Sequence, residues 1–139
     1  MDCFDRKLPL FGESRVQGEV YLTCCITNDG VSISYKDNMS GAGFVESNSF
    51  FFALSDIRKD YQKKGVDILC KGAELHVFPG GLLSESTHGE LAYEINPVSG
   101  EKTEVNIFAS VSESHIDLIA SIEDQKEERR RVIRLANNR

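Results

Sequence analysis

The alternation of apolar and polar residues near the start of the chain predicts an antiparallel β-hairpin. Residues 19–27 are rich in β-branched and aromatic side chains, and Val31, Ile33 and Tyr35 share one face of the segment 31–35. Asp29 and Gly30 lie between the two segments, and both residue types tolerate the positive φ values of a tight turn. Residues 36–43 then have the composition of a loop.

A helical pattern follows this loop. Four large apolar residues recur at a spacing of three or four, namely Phe50, Leu54, Ile57 and Tyr61. The polar residues 47–49 can cap the start of this helix, and Gly65 can adopt the left-handed conformation that follows its end. The three phenylalanines at 50–52 could form an exposed patch, but we expect them in the core because a helix packed on a sheet buries one face and part of a flank.

The second half of the chain alternates short β-rich segments with turn-forming residues. The β-rich segments are residues 66–71, 75–78, 91–95 and 103–109, with a hairpin turn expected at 96–100. Pro79, Gly80 and Gly81 end the second of these segments, because proline lacks a backbone donor and glycine weakens strand pairing. Residues 82–89 have the composition of a polar loop.

The C-terminal part combines an ambiguous segment with a polar helix. The apolar residues of 116–122 follow neither the two-residue repeat of a strand nor the 3.6-residue repeat of a helix. The segment therefore predicts either a last buried strand or the start of a helix. Residues 123–138 are helical in pattern, with Glu127 and Glu128 spaced to pair with Arg131. All 139 residues together predict a single α+β domain with a mostly antiparallel sheet, one central helix and a C-terminal helix.

The distribution of charge narrows the possible partners. The net charge is −6; residues 1–122 carry 18 acidic and 10 basic side chains, and residues 123–139 carry 4 acidic and 6 basic ones. An acidic body repels phosphate backbones, so we expect no nucleic-acid partner and interpret the arginines at 129–131 as a solvated helix face. Such a charge attracts a basic protein or a cationic ligand, or serves solubility alone.

The lengths of the apolar runs indicate where the protein is located in the cell, and the spacing of the cysteines indicates whether they form disulfides. No apolar run approaches the ~20 residues that span a bilayer, and no secretory pattern opens the chain, so we expect a cytoplasmic protein without membrane contact. Cys24 and Cys25 are adjacent and the 4 cysteines form no Cys-x-x-Cys spacing, which predicts free thiols throughout. The 3 histidines lie far apart in sequence, so we expect no metal and no cofactor.

Candidate catalytic groups occur between residues 84 and 94. Ser84 or Ser86, with His88 and Glu90, supplies the groups of a serine hydrolase, but residues so close in one loop seldom reach the required geometry. Glu90 and Glu94 would share one face of a strand and could act as acid and base, although solvent-facing charges are the simpler interpretation. We therefore assign no catalytic residue.

The same region is the best candidate for a partner-binding surface. A proline-glycine break followed by polar residues is unfavourable within a sheet, so we expect the segment 82–94 at the surface, where loops carry function. The residues that we assign to the partner-binding surface are Phe78, Glu85, His88, Glu90, Tyr93 and Glu94.

Several short motifs around this surface resemble a known class of proteins. They are Cys70-Lys71-Gly72, the segment 77–81, the segment 89–93 and, further along, the segments 105–108 and 118–125. Together they resemble small immunity proteins of bacterial polymorphic toxin systems, including those of contact-dependent growth inhibition. The resemblance implies a non-enzymatic inhibitor that binds a cognate toxin domain in the cytoplasm. A nuclease with a basic surface would be engaged by the acidic body of the chain.

Two other function classes stay open at this point. One is a partner-binding or assembly module outside any toxin system, which would use the same surface. The other is a small hydrolase that works from the segment 84–90.

Overall fold

The fold was obtained as a computed structural model that describes residues 2–137, with side chains described to residue 135. It confirms the α+β class: the chain forms a five-stranded antiparallel sheet in the order β4-β3-β2-β1-β5, on which one helix packs, and a three-stranded antiparallel sheet in the order β6-β7-β8. The strands are β1 (Cys3–Gly12), β2 (Arg15–Thr27), β3 (Gly30–Asp37), β4 (Ala42–Ser47), β5 (Asp67–Ile68), β6 (Val77–Phe78), β7 (Leu91–Ile95) and β8 (Lys102–Asn106). The helices are α1 (Phe50–Gln62), α2 (Gly81–Thr87) and α3 (Ile122–Asn137), with 3₁₀ turns at Lys71–Ala73 and Glu113–Leu118.

The first sheet contains the predicted hairpin and two strands that the sequence did not reveal. The predicted hairpin is β2 and β3, which pair around the turn before Gly30. The predicted loop 36–43 is shorter, because Asp37 Oδ1 accepts the backbone amides of Met39 and Gly41 at 2.7 and 2.8 Å and so starts β4 at Ala42. Strand β1 was missed because its outward positions are polar or charged and Pro9 interrupts its pattern.

Helix α1 covers the inner face of this sheet and forms the core with it. Ser49 caps the helix, its Oγ accepting the amide of Phe52, and Gly65 has a φ of 74°, so both predicted ends are confirmed. Phe50 and Phe51 are buried, whereas Phe52 is 50% exposed, so the core prediction holds for the first two phenylalanines. Each fully buried aliphatic or aromatic side chain stabilises the fold by about 1.5–3 kcal/mol. The innermost side chains are Leu8, Leu10, Val20, Leu22, Ile33, Phe50, Leu54, Ile57 and Ile68.

The second half confirms the last hairpin and corrects three predictions. Strands β5 and β6 have only two residues each, because the chain between them forms a 3₁₀ turn in which the Gly72 amide bonds to the Ile107 carbonyl. The predicted loop 82–89 is wrong: it forms helix α2, which ends at His88 in the left-handed conformation. Residues 116–122 form neither expected element, since a 3₁₀ turn ends at Leu118 and α3 begins at Ile122. The last residue of the predicted helix 123–138 lies outside the described residues.

The prediction of four free thiols is also wrong. Cys3 and Cys25 form a disulfide across the β1–β2 pair, where they lie directly opposite each other. Neighbouring residues on a strand point to opposite faces, so Cys24 enters the core while Cys25 faces outward toward Cys3. Cys24 and Cys70 are buried free thiols, and burial raises the pKa of each, to about 12 and about 11.

The helices of residues 2–137 are short or strongly polar compared with a membrane-spanning helix. None of them combines the length and the apolar composition that a membrane span requires.

Candidate protein-binding groove

Three adjoining depressions form a continuous groove around Pro79, which we call the Pro79 groove. The most enclosed one, about 180 Å³, lies between α1 and α3. A second of about 350 Å³ lies between α2, β7 and α3, and a third of about 320 Å³ lies between α2 and the start of α1. Pro79 and Arg129 line all three depressions.

Local sequence explains why the chain opens here. Pro79 ends β6, and Gly80 crosses directly over the Tyr93 ring, so closely that a Cβ at this position would lie 2.5 Å from Tyr93 Cε2. Only glycine permits this approach, which turns the chain into α2 at Gly81. Helix α2 therefore projects from the sheet and leaves Leu82 85% exposed.

The groove has an apolar floor and apolar residues along its rim. Its floor consists of the buried side chains of Phe51, Phe78, Ile122 and Val132. Its rim carries the exposed side chains of Phe52, Leu82 and Ile133, which are 50, 85 and 46% exposed. Large exposed apolar side chains that adjoin an apolar depression mark an interaction site more often than scattered single ones do.

The charges on the rim are opposite in sign to the charge of the whole chain. The basic side chains are Lys59, Lys102, Lys126 and Arg129, and the acidic ones are Asp56 and Glu85. Lys102 lies over the Tyr93 ring at 5.5 Å, and Lys126 approaches Glu123 at 3.8 Å. Within residues 2–137, Arg129 has no carboxylate at ion-pair distance. The groove therefore presents unneutralised positive charge beside apolar surface.

A buried polar network fixes the two walls of the most enclosed depression. Arg58 of α1 is 1% exposed; it donates to Gln125 Oε1 of α3 at 2.7 Å and also to the Ala120 carbonyl. Gln125 in turn donates to the carbonyls of Gly72 and Glu74 at 3.0 and 2.8 Å. Burial lowers the pKa of Arg58, whose hydrogen-bond acceptors are all neutral. Helix α3 is thus held against α1 by directional bonds as well as by apolar packing.

Four of the six predicted partner-binding residues border the groove. Phe78 belongs to its floor at 4% exposure, and Tyr93 supports the Gly80 crossing. Glu85 and His88 line the depression beside α2, and both are exposed.

The other two predicted residues, Glu90 and Glu94, lie outside the groove. Glu90 precedes β7 and accepts bonds from Arg6 at 3.2 Å and from Asn106 at 2.9 Å. Glu94 is paired with Lys71 at 3.3 Å. Both carboxylates have partners within the fold and are partly exposed, at 26 and 38% of the side chain, so their assignment to the partner-binding surface stays a prediction.

The groups considered for a hydrolase are directed to different partners. The Ser86 hydroxyl donates to the Leu83 carbonyl at 3.2 Å, and the Glu90 carboxylate is held by Arg6 and Asn106. His88 contributes its backbone carbonyl, which accepts the Phe50 amide at 2.7 Å. In residues 2–137 no hydrogen bond connects a serine, His88 and Glu90, and no group of three or more potential metal ligands comes together.

Sequence reasoning missed the contribution of α3 to the groove. Ile122, Gln125, Arg129 and Val132 follow one another at intervals of three and four, so they lie along one side of the helix, where Arg129 is exposed and the other three are buried. The presence of Arg129 on the same side of the helix as Ile122 and Val132 was the sequence signal that α3 lines a binding surface. The prediction that the arginines at 129–131 form a solvated face is confirmed, since all three are exposed, and Arg129 lines the groove from such an exposed position.

Comparison with protein-family models and with curated proteins gives no match for this chain. Its function must therefore be inferred from the residues of the groove.

Proposed function

We propose that this protein is an immunity protein that binds and neutralises a toxin domain in the cytoplasm, with the Pro79 groove as its contact surface. One observation carries the proposal: an apolar floor lies beside the exposed side chains of Phe52, Leu82 and Ile133. Interfaces obtain most of their binding energy from a few apolar or aromatic anchors placed in such pockets.

The most enclosed depression by itself is smaller than a typical site for a small molecule. It measures about 180 Å³, whereas sites for small molecules usually enclose about 300–1,000 Å³. A depression of this size suits one large side chain of a partner. The shallower neighbouring depressions extend the contact along α2 and α3.

The resemblance to immunity proteins supports the same assignment. The motif at residues 77–81 that carries part of the resemblance supplies Phe78 and Pro79 to the groove. Neutralisation would occur by covering the active site of the toxin, for which we propose nuclease activity. The net charge of −6 would speed the encounter with a basic toxin domain, while the groove would provide the close contacts.

Co-expression with the toxin domain encoded by a neighbouring gene tests the proposal. Cells that produce the toxin should survive with the intact protein and with Phe44→Glu, whose 61% exposed ring lies on β4 and outside the groove. Phe52→Glu and Leu82→Glu should lose protection, because each places a charge beside the apolar floor, and their binding should weaken by about tenfold or more.

Each result has a defined meaning. Cell death with the intact protein, when both proteins are soluble, rejects the immunity function. Tight binding without protection identifies a partner-binding module of another kind. Equal protection by Phe44→Glu and Phe52→Glu shows that the contact surface lies elsewhere.

A further inference from the structure

We infer that the Pro79 groove receives an acidic segment of the partner that carries at least one large apolar side chain. This inference rests on the proposed function and concerns the chemistry of the bound segment. It differs from the expectation that an acidic surface of this chain binds a basic surface of the toxin.

The cations stand on both sides of the most enclosed depression. Lys59 lies on α1, and Lys126 and Arg129 lie on α3, so the two walls present positive charge to the same space. Lys102 of β8 adds a further cation at the far end of the groove. A carboxylate on a segment bound between α1 and α3 would approach a cation from either wall.

Among the described residues, some cations are neutralised by ion pairs and others are not, both in the groove and away from it. Away from the groove, Arg6 is paired with Glu90, Lys71 with Glu74 and Glu94, and Arg131 with Glu128. In the groove, Lys59 forms no ion pair within residues 2–137 even though Asp56 precedes it by three residues, and Arg129 has no partner among the described residues.

The sign of the charge that lines the groove matters because the chain contains more acidic than basic side chains, 22 against 16. Against this acidic excess, the groove is lined by four basic side chains and two acidic ones, and within the described part of the fold Lys59 and Arg129 form no ion pair. These two cations would attract carboxylates of a bound segment, and the apolar floor would contact its apolar side chain.

Other occupants fit the groove less well. Nucleic acid presents a uniformly charged backbone and is repelled by a body of net charge −6. A second copy of the chain brings the same net charge and is also repelled. A protein segment can combine carboxylates with a large apolar side chain, and the apolar part would enter the depression bordered by Phe51 and Ile122.

Charge reversal on the purified protein tests the inference with the toxin domain. The variant K126E/R129E should bind the toxin domain about tenfold more weakly, chiefly through faster dissociation, because two close attractive contacts become repulsive. The matched control K36E/K63E changes the net charge equally at two exposed positions outside the groove and should dissociate at the rate of the intact protein. Unchanged or tighter binding by K126E/R129E overturns the inference and leaves the proposed function intact.

Two dyes test the groove without the toxin. The probes are 1-anilinonaphthalene-8-sulfonate and N-phenyl-1-naphthylamine, which share a ring system and differ by the anionic sulfonate. The sulfonate should bind the intact protein about tenfold more tightly than the neutral dye, and K126E/R129E should lose this preference. Equal affinity of the intact protein for both dyes overturns the inference.

The remaining results separate the two proposals. If the intact protein prefers the sulfonate but does not bind the toxin domain, the proposed function fails and the toxin is excluded as the source of the segment. If the protein is a dimer in solution and Phe52→Glu makes it monomeric, a second copy occupies the groove and the inference is overturned.

Discussion

At the scale of single residues, Arg58 shows how this fold accommodates a buried charge. It is the largest fully buried side chain among the described residues, and its Nε has no hydrogen-bond partner. The remaining donors reach neutral oxygens of Gln125, Ala120 and Ala73. Desolvation of the guanidinium is therefore offset chiefly by these hydrogen bonds, which link α1 to the start of α3.

Replacing Arg58 with methionine should lower the free energy of unfolding by about 2 kcal/mol. The substitution preserves much of the volume but leaves Gln125 Oε1 and the Ala120 carbonyl without their donor. Urea unfolding measures the change. Arg15→Met, at an exposed position of β2, should shift the value by less than about 0.5 kcal/mol. A loss below that size for Arg58→Met would show that the network contributes little.

Glu128 gives a second prediction at this scale, for the dependence of stability on pH. Hydrogen bonds from Arg131 and, second, from His76 lower the pKa of Glu128 from 4.5 to about 2. A carboxyl whose pKa is lower in the folded state stabilises the fold fully above the unfolded pKa, and this contribution disappears as the pH falls through the folded pKa. The contribution of Glu128 should therefore be complete above about pH 5 and decline toward pH 2.

Urea unfolding of the intact protein and of Glu128→Gln between pH 2 and 7 tests this prediction. The difference in stability between the two proteins should be largest at neutral pH and shrink toward pH 2. Glu127→Gln, which alters an exposed neighbour, should show a small difference at every pH. A difference for Glu128→Gln that stays constant across the range would contradict the assigned pKa shift.

At the scale of elements, the end of α2 stabilises the start of α1. The carbonyl of His88 accepts the amide of Phe50, one of the amides that a helix leaves without an internal partner. Gly89 follows with a φ of 81°, and a Cβ there would lie 2.7 Å from Ser49 Cβ. The two helices are therefore coupled through a position that requires glycine.

Gly89→Ala should destabilise the protein by about 2 kcal/mol or more, since it adds both backbone strain and a steric contact with α1. Gly81→Ala is the matched control. It lies in α2, where an added methyl group would have no heavy atom of another residue within 4 Å, so its effect should stay within about 1 kcal/mol and be neutral or stabilising. Thermal unfolding compares the two variants, and equal losses would show that the contact with α1 is unimportant.

The disulfide is the other link between elements that can be tested. Cys3 and Cys25 are separated by 22 positions in the sequence, and closing a loop of this length stabilises a fold by about 3 kcal/mol in the chain-entropy description. Cys3 is exposed, so a reducing compartment can open the bond. Reduction or C3S/C25S should lower the free energy of unfolding by about this amount.

Thiol titration checks the connectivity directly. The oxidised protein should show two reactive thiols after unfolding, and the reduced protein four. In the native state Cys24 and Cys70 should react slowly, because both are buried and burial raises the pKa of each thiol. Four thiols in the unfolded, unreduced protein would exclude the disulfide.

At the scale of the whole molecule, two electrostatic features act over different distances. The net charge of −6 acts at long range on any approaching protein. The cations of the Pro79 groove act over short distances, on groups that already lie between α1 and α3. A basic toxin domain with an acidic, apolar segment would satisfy both features.

Ionic strength should affect the long-range attraction by the net charge more than the short-range contacts in the groove. Association with a basic toxin domain should slow by about tenfold or more as salt rises from low to several times the physiological concentration, because screening over about 10 Å or less removes steering. Dissociation should change less, since contacts inside the groove are partly shielded from salt. Stopped-flow or surface-plasmon measurements give both rates. Association that accelerates with salt would show that the two proteins repel each other.

The sequence by itself determined the elements whose signals are local. The β2–β3 and β7–β8 hairpins and the helices α1 and α3 follow from periodicity, turn chemistry and caps within about 15–30 residues. It also predicted that the chain leaves the sheet after Phe78, because Pro79, Gly80 and Gly81 disfavour strand pairing, and Phe78, Glu85, His88 and Tyr93 line the depressions at this point.

Only the tertiary structure decided which distant residues meet. The pairing of β1 with β2 brings Cys3 to Cys25, and Glu90 meets Arg6 across 84 positions of sequence. The groove exists because Arg58 and Gln125 hold α3 beside α1, which places Arg129 next to Pro79. Such contacts depend on the packing of the whole chain, and local periodicity carries no information about which of many possible partners a charged or polar side chain will reach.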